Sequence, residues 1–310
     1  MKYLGLQSQI WRNNTRSVIL LLAFPVLILG LVWLFFFIVN HQQYDGLALT
    51  NQSFMHSVPF VIIIVGIWFM IAWSSHTSMI NRATAARPLE RKENKRVYNL
   101  VENLCISQGM KTPKINVIED DSLNAFASGI SEKSYMITLS RGIINKLNDD
   151  ELESVIAHEL THIQNKDVRL LIISIIFVGI FAFTSEMAFR MILYGGRGRK
   201  KKDGRVMIII LLLALLGYLL SILFRFALSR KREYLADAGS VRMTGNALAL
   251  ASSLRKISGD PRIEAVKRRD VAQLFIENPQ EKGKGVFSAI GGLFATHPPI
   301  EKRIQMLEQF

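Results

Sequence analysis

The sequence predicts an α+β protein that is mainly α-helical, with a small β-sheet and up to four transmembrane helices. Half of the 310 residues are hydrophobic, and much of this content lies in four almost unbroken apolar runs. Outside these runs the composition is that of a soluble domain, in which helical spacing alternates with short strand-like segments. The apolar runs are residues 17–39, 58–73, 170–189 and 206–224.

The first two runs predict a hairpin that remains in the membrane. A helix of roughly 20 apolar residues spans roughly 30 Å of hydrocarbon, and the first run ends without the cleavage pattern of a signal peptide. The tail before it carries Lys2, Arg12 and Arg16, whereas the loop of residues 40–57 has no Lys or Arg. Because basic residues favour the cytoplasmic side, both ends of the hairpin should be cytoplasmic, in the inner (plasma) membrane of the cell.

The second pair of runs leaves two interpretations open. The chain must return to the side from which it left, so the pair either crosses as a hairpin or packs along the cytoplasmic side. The basic residues in the turn between the two runs disfavour its translocation, and hence the crossing hairpin. That turn contains Arg190, Arg197, Arg199, Lys200, Lys201, Lys202 and Arg205.

The net charge of +13 and the single cysteine bear on whether the protein binds nucleic acid and on whether it contains disulfides. The basic residues gather beside the apolar runs, which favours anionic lipid headgroups, and the sequence has no nucleic-acid-binding motif. Cys105 cannot form an intramolecular disulfide, so nothing indicates an oxidising compartment. We therefore expect the soluble part to face the cytoplasm and to bind no nucleic acid.

These features divide the chain into five predicted segments. A cytoplasmic tail, residues 1–16, precedes the transmembrane hairpin of residues 17–75. Residues 76–168 begin the soluble domain, a second hydrophobic hairpin with its basic loop interrupts it at residues 169–228, and residues 229–310 complete it.

The soluble domain begins with a helical pattern at residues 97–108, which three short strands follow. Asn148, with Glu151 three residues later, is a capping-box pattern, and apolar residues then recur at helical spacing. The predicted strands are residues 114–119, 124–129 and 134–139, and later helices are predicted around residues 231–237, 246–257 and 299–307.

The helix that follows Asn148 carries the segment His-Glu-Leu-Thr-His at residues 158–162. Residues four apart lie on one face of a helix, so His158 and His162 can direct their rings at one metal ion roughly 2.0–2.1 Å away. Glu159 is not needed as a ligand, and we expect it to accept the proton of a metal-activated water during peptide hydrolysis. The segment predicts a zinc endopeptidase with one Zn²⁺ per chain.

A catalytic zinc requires a third protein ligand from elsewhere in the chain. Glu233 is the best candidate because Asp237 follows it by four residues on a predicted helix, and this second carboxylate can support a ligating histidine. Spacing alone leaves the alternatives open. Glu233 can equally be a solvated residue that pairs with Arg230 or Lys231, and Asp237 an ordinary exposed acid.

Four motifs in this order along the chain resemble those of the HtpX-type membrane zinc proteases, relatives of the CAAX prenyl endopeptidases. The likeness covers most of the chain, including both hydrophobic hairpins. It implies a zincin-like catalytic domain with Glu233 as third ligand and Asp237 beside a zinc histidine, and a role in degrading misfolded or damaged membrane proteins. The motifs are Asn-Ala-Phe-Ala-Ser-Gly (124–129), His-Glu-Leu-Thr-His (158–162), Arg-Glu-Tyr-Leu-Ala-Asp (232–237) and Thr-His-Pro-Pro (296–299).

The resemblance also implies where the substrate binds. In that family an extended substrate lies along the strand that corresponds to residues 124–129 and pairs with its backbone. This implies substrate contacts by Asn124, Ala125, Phe126 and Ala127. By themselves these residues indicate only a short strand of small side chains.

His297 and Arg303 each leave alternatives open. The family counterpart of His297 lies near the metal, where a cationic imidazole stabilises a developing oxyanion and a neutral one instead occupies the open zinc position. By sequence alone His297 is a helix-entry residue before two prolines. Arg303 either contributes to the same substrate pocket or is a solvated helix residue.

The combined prediction is an integral-membrane zinc endopeptidase that cleaves unfolded polypeptides or extended segments of membrane proteins, with the lipid bilayer as its other partner. Site-specific processing of the CAAX type is a rival, which four apolar runs disfavour because they enclose a smaller membrane chamber than those relatives possess. A non-catalytic membrane scaffold with a zinc site is the remaining alternative.

Overall fold

The computed structural model describes residues 6–194, 201–226, 230–259 and 298–309. These residues are mainly helical with one small sheet, which confirms the predicted fold class. The helices are α1 (Leu6–Asn40), α2 (Gly46–Thr84), α3 (Lys95–Ser107), α4 (Arg141–Lys146), α5 (Asp149–Gln164), α6 (Asp167–Tyr194), α7 (Lys201–Phe226), α8 (Arg230–Thr244), α9 (Ala247–Gly259) and α10 (Ile300–Leu307). The strands are β1 (Arg87–Pro88), β2 (Lys114–Ile118), β3 (Ala125–Ser128) and β4 (Met136–Ser140).

The chain forms two compact units, each built from stretches that are not contiguous in the sequence. The first, which we call the sheet unit, comprises Met1–Asn14, His76–Ile172 and Phe226–Phe310. The second, the apolar unit, comprises Thr15–Ser75 and Ile173–Arg225.

The apolar unit is built from parts of α1, α2, α6 and α7. Three helical stretches are long and apolar enough to cross a membrane, namely Asn14–Asn40, Gly46–Thr84 and Asp167–Met187. In the described part of α7 the apolar stretch is shorter, Val206–Leu220. Inside this unit the rings of Phe24 and Phe177 stack at 4.3 Å, so aromatic packing joins α1 to α6.

The sheet of the other unit has the strand order β1-β2-β4-β3. Strand β4 runs parallel to β2 and antiparallel to β3. The three predicted strands are present with ends shifted by one or two residues, whereas β1 and α4 were not predicted. Within the described residues β3 pairs with β4 alone, so it is an edge strand of the sheet.

Helix α5 lies at the centre of the sheet unit, against α3, α8, α9 and β3. The capping box predicted at its start is present, because Asn148 Oδ1 accepts from the Glu151 N–H and Glu151 Oε2 accepts from the Asn148 N–H. Helix α8 packs tightly against α5 near the C-terminal end of α5, since a Cβ on Gly239 would lie 2.3 Å from Thr161 Cγ2. Glycine at this point therefore permits the close crossing of α5 and α8.

Replacing Asn148 by Ala is expected to lower the free energy of unfolding by about 1 kcal/mol, because the first turn of α5 loses its side-chain cap. Asn94→Ala is the matched control, since Asn94 caps α3 in the same way through the Val97 N–H. Denaturant unfolding of the detergent-solubilised protein should show a similar loss for both variants. An Asn148→Ala protein as stable as wild type would contradict this account of how α5 begins.

Candidate active site

The two histidines of α5 and a glutamate of α8 bring three donor atoms together. His158 Nε2 and His162 Nε2 lie 3.2 Å apart, as their separation by four residues on one helix requires. Glu233 Oε2 lies 3.7 Å from the first nitrogen, and Glu233 Oε1 lies 3.6 Å from the second. The side chain of Glu233 is buried, which is incompatible with a solvated residue that pairs with Arg230 or Lys231.

This spacing fits a single small cation. Bonds of about 2.0–2.1 Å at tetrahedral angles place two ligand atoms about 3.3 Å apart. The histidine nitrogens are 3.2 Å apart, each has a different Glu233 oxygen within 3.7 Å, and one ligand atom from each of the three residues lies within 4.8 Å of the others. Two imidazole nitrogens and one carboxylate are also a donor set typical of catalytic zinc sites, which keep the fourth position open. The three residues therefore have the donor atoms and the proximity that a single metal ion requires.

His158 is supported from behind by two further charged residues. Its Nδ1 lies 3.1 Å from Asp237 Oδ1, one turn after Glu233 on α8. Arg303 of α10 donates from Nε and Nη2 to the two oxygens of Asp237, at 2.9 and 2.7 Å. The Arg303 side chain is 1% exposed, so its interpretation as a solvated helix residue is wrong.

His162 has an equivalent neighbour that the sequence did not indicate. Its Nδ1 lies 3.1 Å from Oδ2 of Asp167, the first residue of α6. Nη1 of Arg232 lies 3.4 Å from the backbone oxygen of Asp167 and 3.9 Å from its Oδ1. Asp167 follows His162 by five positions, a spacing that no helix face explains, so only the turn between α5 and α6 brings them together.

Glu159 directly follows His158 on α5 and lies beside the edge strand β3. It is buried, and its carboxylate accepts a hydrogen bond from the backbone N–H of Ala127 on β3. Because Ser140 N–H donates to Asn124 O, alternation along an antiparallel pair turns the N–H and C=O of Ala125 and Ala127 away from β4. Glu159 is thus hydrogen-bonded to the edge of β3 that faces away from β4.

The buried charges around the site are complementary to a divalent cation. With Glu159 ionised and both imidazoles neutral, as metal binding requires, the four buried carboxylates of Glu159, Asp167, Glu233 and Asp237 and the guanidiniums of Arg232 and Arg303 sum to two formal negative charges. An uncompensated buried charge is costly. A bound M²⁺ would neutralise this excess.

Burial and ion pairing move the pKa values of these groups in different directions. Burial raises the pKa of Glu159 above the usual value of a carboxyl group. Burial acts the same way on Asp237, but the Arg303 guanidinium and His158 outweigh it and lower the pKa of Asp237 to about 2. Burial alone would lower the pKa of His158, yet the carboxylates of Asp237 and Glu233 raise it to about 9 in the metal-free site.

This raised pKa predicts that zinc binding depends on pH. A metal binds neutral imidazole, so it must displace the proton of His158, and affinity should rise up to tenfold per pH unit until pH about 9. The stability of the metal-free protein depends on pH in the opposite direction. A raised histidine pKa adds most to its free energy of unfolding below pH 6.5, and this contribution is lost towards pH 9. Chelator competition between pH 6.5 and 9 tests the prediction, and a flat affinity would contradict it.

The structure thus brings together His158, His162, Glu233, Asp237 and Arg303, with Glu159 beside them and the segment of residues 124–127 at the neighbouring strand edge. His297 lies outside the described residues. Asp167, Arg232 and Gly239 were missed, and each depends on a turn or a helix crossing that the sequence pattern does not reveal.

A His-Glu-x-x-His helix, a glutamate from a second helix and long apolar helices together define a membrane-bound metallopeptidase. The sequence profile of peptidase family M48 matches residues 91–310. The chain therefore belongs to peptidase family M48. It is a membrane metalloprotease with a metal cofactor, and the resemblance to the HtpX-type proteases is confirmed.

Relatives with that name match along the whole chain. A "Protease HtpX homolog" of Bacteroides fragilis is 59% identical over 322 residues, which cover 100% of both chains. One of Listeria monocytogenes is 34% identical over 313 residues, which cover 97% of this chain and 98% of the other. Among solved structures, the crystal structure of S. mikatae Ste24p matches at 19% identity with a TM-score of 0.47, over 96% of this chain and 66% of that chain.

Proposed function

We propose that this metalloprotease uses zinc to cleave unfolded or extended segments of membrane proteins at the cytoplasmic face of the membrane, as part of protein quality control. The observation that carries the proposal is the position of Glu159, which follows a ligand candidate directly in the chain and contacts the edge strand β3 through Ala127. The same residue can therefore act on a water near the metal and on a peptide paired with β3.

In this proposal His158, His162 and Glu233 hold the zinc, and Asp237 keeps the His158 ring in its ligating orientation. Zinc supplies a Lewis acid that polarises the scissile carbonyl and lowers the pKa of water. Glu159 takes the proton of the attacking water and passes it to the leaving amine, a role that suits a buried carboxylate with a raised pKa. Arg303 supports this arrangement through Asp237 rather than by contact with solvent.

Substrate recognition through the backbone of β3 is consistent with unfolded substrates. The outward C=O groups of Ala125 and Ala127 can accept from an extended chain, and their N–H groups can join the pairing once they leave Asn124 Oδ1 and the Glu159 carboxylate. Pairing of this kind depends little on side chains. A folded protein has no free extended segment to offer, so selection would follow from the loss of structure in the substrate. The cytoplasmic orientation rests on the basic tail before the first hairpin.

A pair of matched substrates tests the proposal. The full chain in detergent or lipid nanodiscs is incubated with a membrane protein in its stable form and with the same protein destabilised by one large-to-small core substitution. Wild type should cut the destabilised form at several sites and leave the stable form intact, and Glu159→Gln should cut neither. Single-site cleavage of a prenylated peptide, with neither membrane protein cut, would instead support the processing type of protease and overturn the proposal.

A further inference from the structure

Both histidines of α5 have a carboxylate on the side of the ring that faces away from the donor cluster. In each ring Nε2 faces the other histidine and Glu233, and Nδ1 lies 3.1 Å from an aspartate oxygen. For His158 the aspartate is Asp237, and for His162 it is Asp167. Such contacts fix the tautomer of a ligating ring and raise its basicity.

The chain places Asp167 at this point through a two-residue turn. Helix α5 ends at Gln164, and Lys166 adopts a φ of +60°, in the left-handed region that residues with a side chain rarely occupy. The Lys166 N–H donates to Ile163 O at 3.0 Å, so the turn closes tightly and Asp167 starts the next helix beside His162. Asp167 is buried, and burial of a carboxylate requires a partner of this kind.

Asp167 is itself held by a second residue, as Asp237 is. Arg232 reaches both the backbone oxygen and the side chain of Asp167 from α8, where it directly precedes Glu233. Each histidine thus has an aspartate behind it and each aspartate has an arginine, although the Arg303 pair is the closer of the two. Two consecutive residues of α8 thus lie close to the histidine pair, since Glu233 approaches both Nε2 atoms and Arg232 contacts Asp167.

We infer that Asp167 is a positioning residue for the metal site, which holds the His162 ring through Nδ1 with Nε2 directed at the metal, and that Arg232 keeps Asp167 in place. The inference rests on the proposed zinc site. A simpler role for Asp167 is its favourable interaction with the N-terminal dipole of α6. That role does not require contact with His162, so the two can be separated by experiment.

The test measures zinc affinity of the full chain in detergent by chelator competition, together with kcat and KM at saturating zinc. Asp167→Ser retains a residue suited to a helix start but cannot reach the ring, and it should lower zinc affinity about 10- to 100-fold. Asp167→Asn keeps an oxygen near Nδ1 without the charge, and its loss should be smaller. Arg232→Met should change affinity in the same direction by less than Asp167→Ser.

Asp149→Asn is the matched control, because Asp149 is an exposed acid in the first turn of α5 that pairs with Arg96, and its zinc affinity should equal that of wild type. An Asp167→Ser protein with wild-type affinity and only a lower thermal midpoint would overturn the inference and leave the dipole role. If wild type itself binds no zinc, the proposed function fails. If wild type and Asp167→Ser bind zinc equally well, only the inference about Asp167 fails.

Discussion

Glu159→Gln is expected to lower the rate of peptide hydrolysis by about 10²- to 10⁴-fold, the usual contribution of general acid–base catalysis. Glutamine has nearly the same shape but cannot take a proton from water. The donor cluster of His158, His162 and Glu233 is unchanged by the substitution, so zinc content should stay at one ion per chain. Cleavage of a denatured protein and metal analysis of the same preparation measure both quantities.

The control for this experiment is Glu153→Gln, the same substitution on the same helix. Glu153 lies near the start of α5, and Asp149 and Asp150 are the charged residues close to it, so its replacement should leave activity and zinc content unchanged. Zinc-loaded Glu159→Gln protein that cuts at the wild-type rate would show that another group accepts the proton.

Arg303→Leu is expected to have the largest effect on stability, a loss of about 3–5 kcal/mol, because it leaves the buried carboxylate of Asp237 without its cation. Arg303 is 1% exposed and makes two hydrogen bonds with Asp237. Removing both partners in Arg303→Leu with Asp237→Leu should be less destabilising than Arg303→Leu alone, since no unpaired charge remains. Denaturant unfolding of the metal-stripped proteins separates this effect from loss of zinc.

An exposed ion pair between α9 and the end of α10 provides the comparison. Arg255 of α9 pairs with Glu308 just after α10, and the two side chains are 55% and 39% exposed. Arg255→Leu should therefore cost no more than about 1 kcal/mol. A cost for Arg303→Leu as small as that for Arg255→Leu would mean that the buried pair does not hold α10 in place.

The part of the site that lies within one helix could be predicted from the sequence. Helical periodicity alone places His158 and His162 on one face, and the capping pattern at Asn148 indicates where that helix begins. Glu233 is 71 residues beyond His162 in the sequence, and spacing could not distinguish it from a solvated acid. Its assignment required the family resemblance, and the structure adds that its oxygens lie 3.6 and 3.7 Å from the histidine nitrogens.

The remaining features depend on tertiary structure. The two-residue strand β1 exists because Arg87 and Pro88 pair with β2, and so short a strand has no periodicity of its own. Helix α4 has six residues and is capped by Ser140, the last residue of β4. Asp167 reaches His162 only because Lys166 adopts a left-handed conformation, which sequence rules assign to glycine or asparagine more readily than to lysine.

The sequence predicts which helices are apolar enough to span the membrane better than it predicts their orientation across it. Length and composition identify α1, α2 and α6 as candidate spans. Positions of basic residues carry the orientation, and the basic turn after α6 includes residues 195–200, outside the described part of the chain. The cytoplasmic placement of the sheet unit therefore stays a prediction based on the charge of the N-terminal tail.

Stoichiometric reconstitution tests the central claim most directly, namely that one zinc held by His158, His162 and Glu233 is required for peptide hydrolysis. The full chain is stripped with a chelator, and zinc is then added back in fractions of an equivalent while cleavage of a denatured protein is measured. Activity should be absent at the start, rise linearly and reach its plateau at one equivalent, and Glu233→Gln should need a large excess of zinc. Full activity in the stripped protein, or a Glu233→Gln titration identical to that of wild type, would contradict the account.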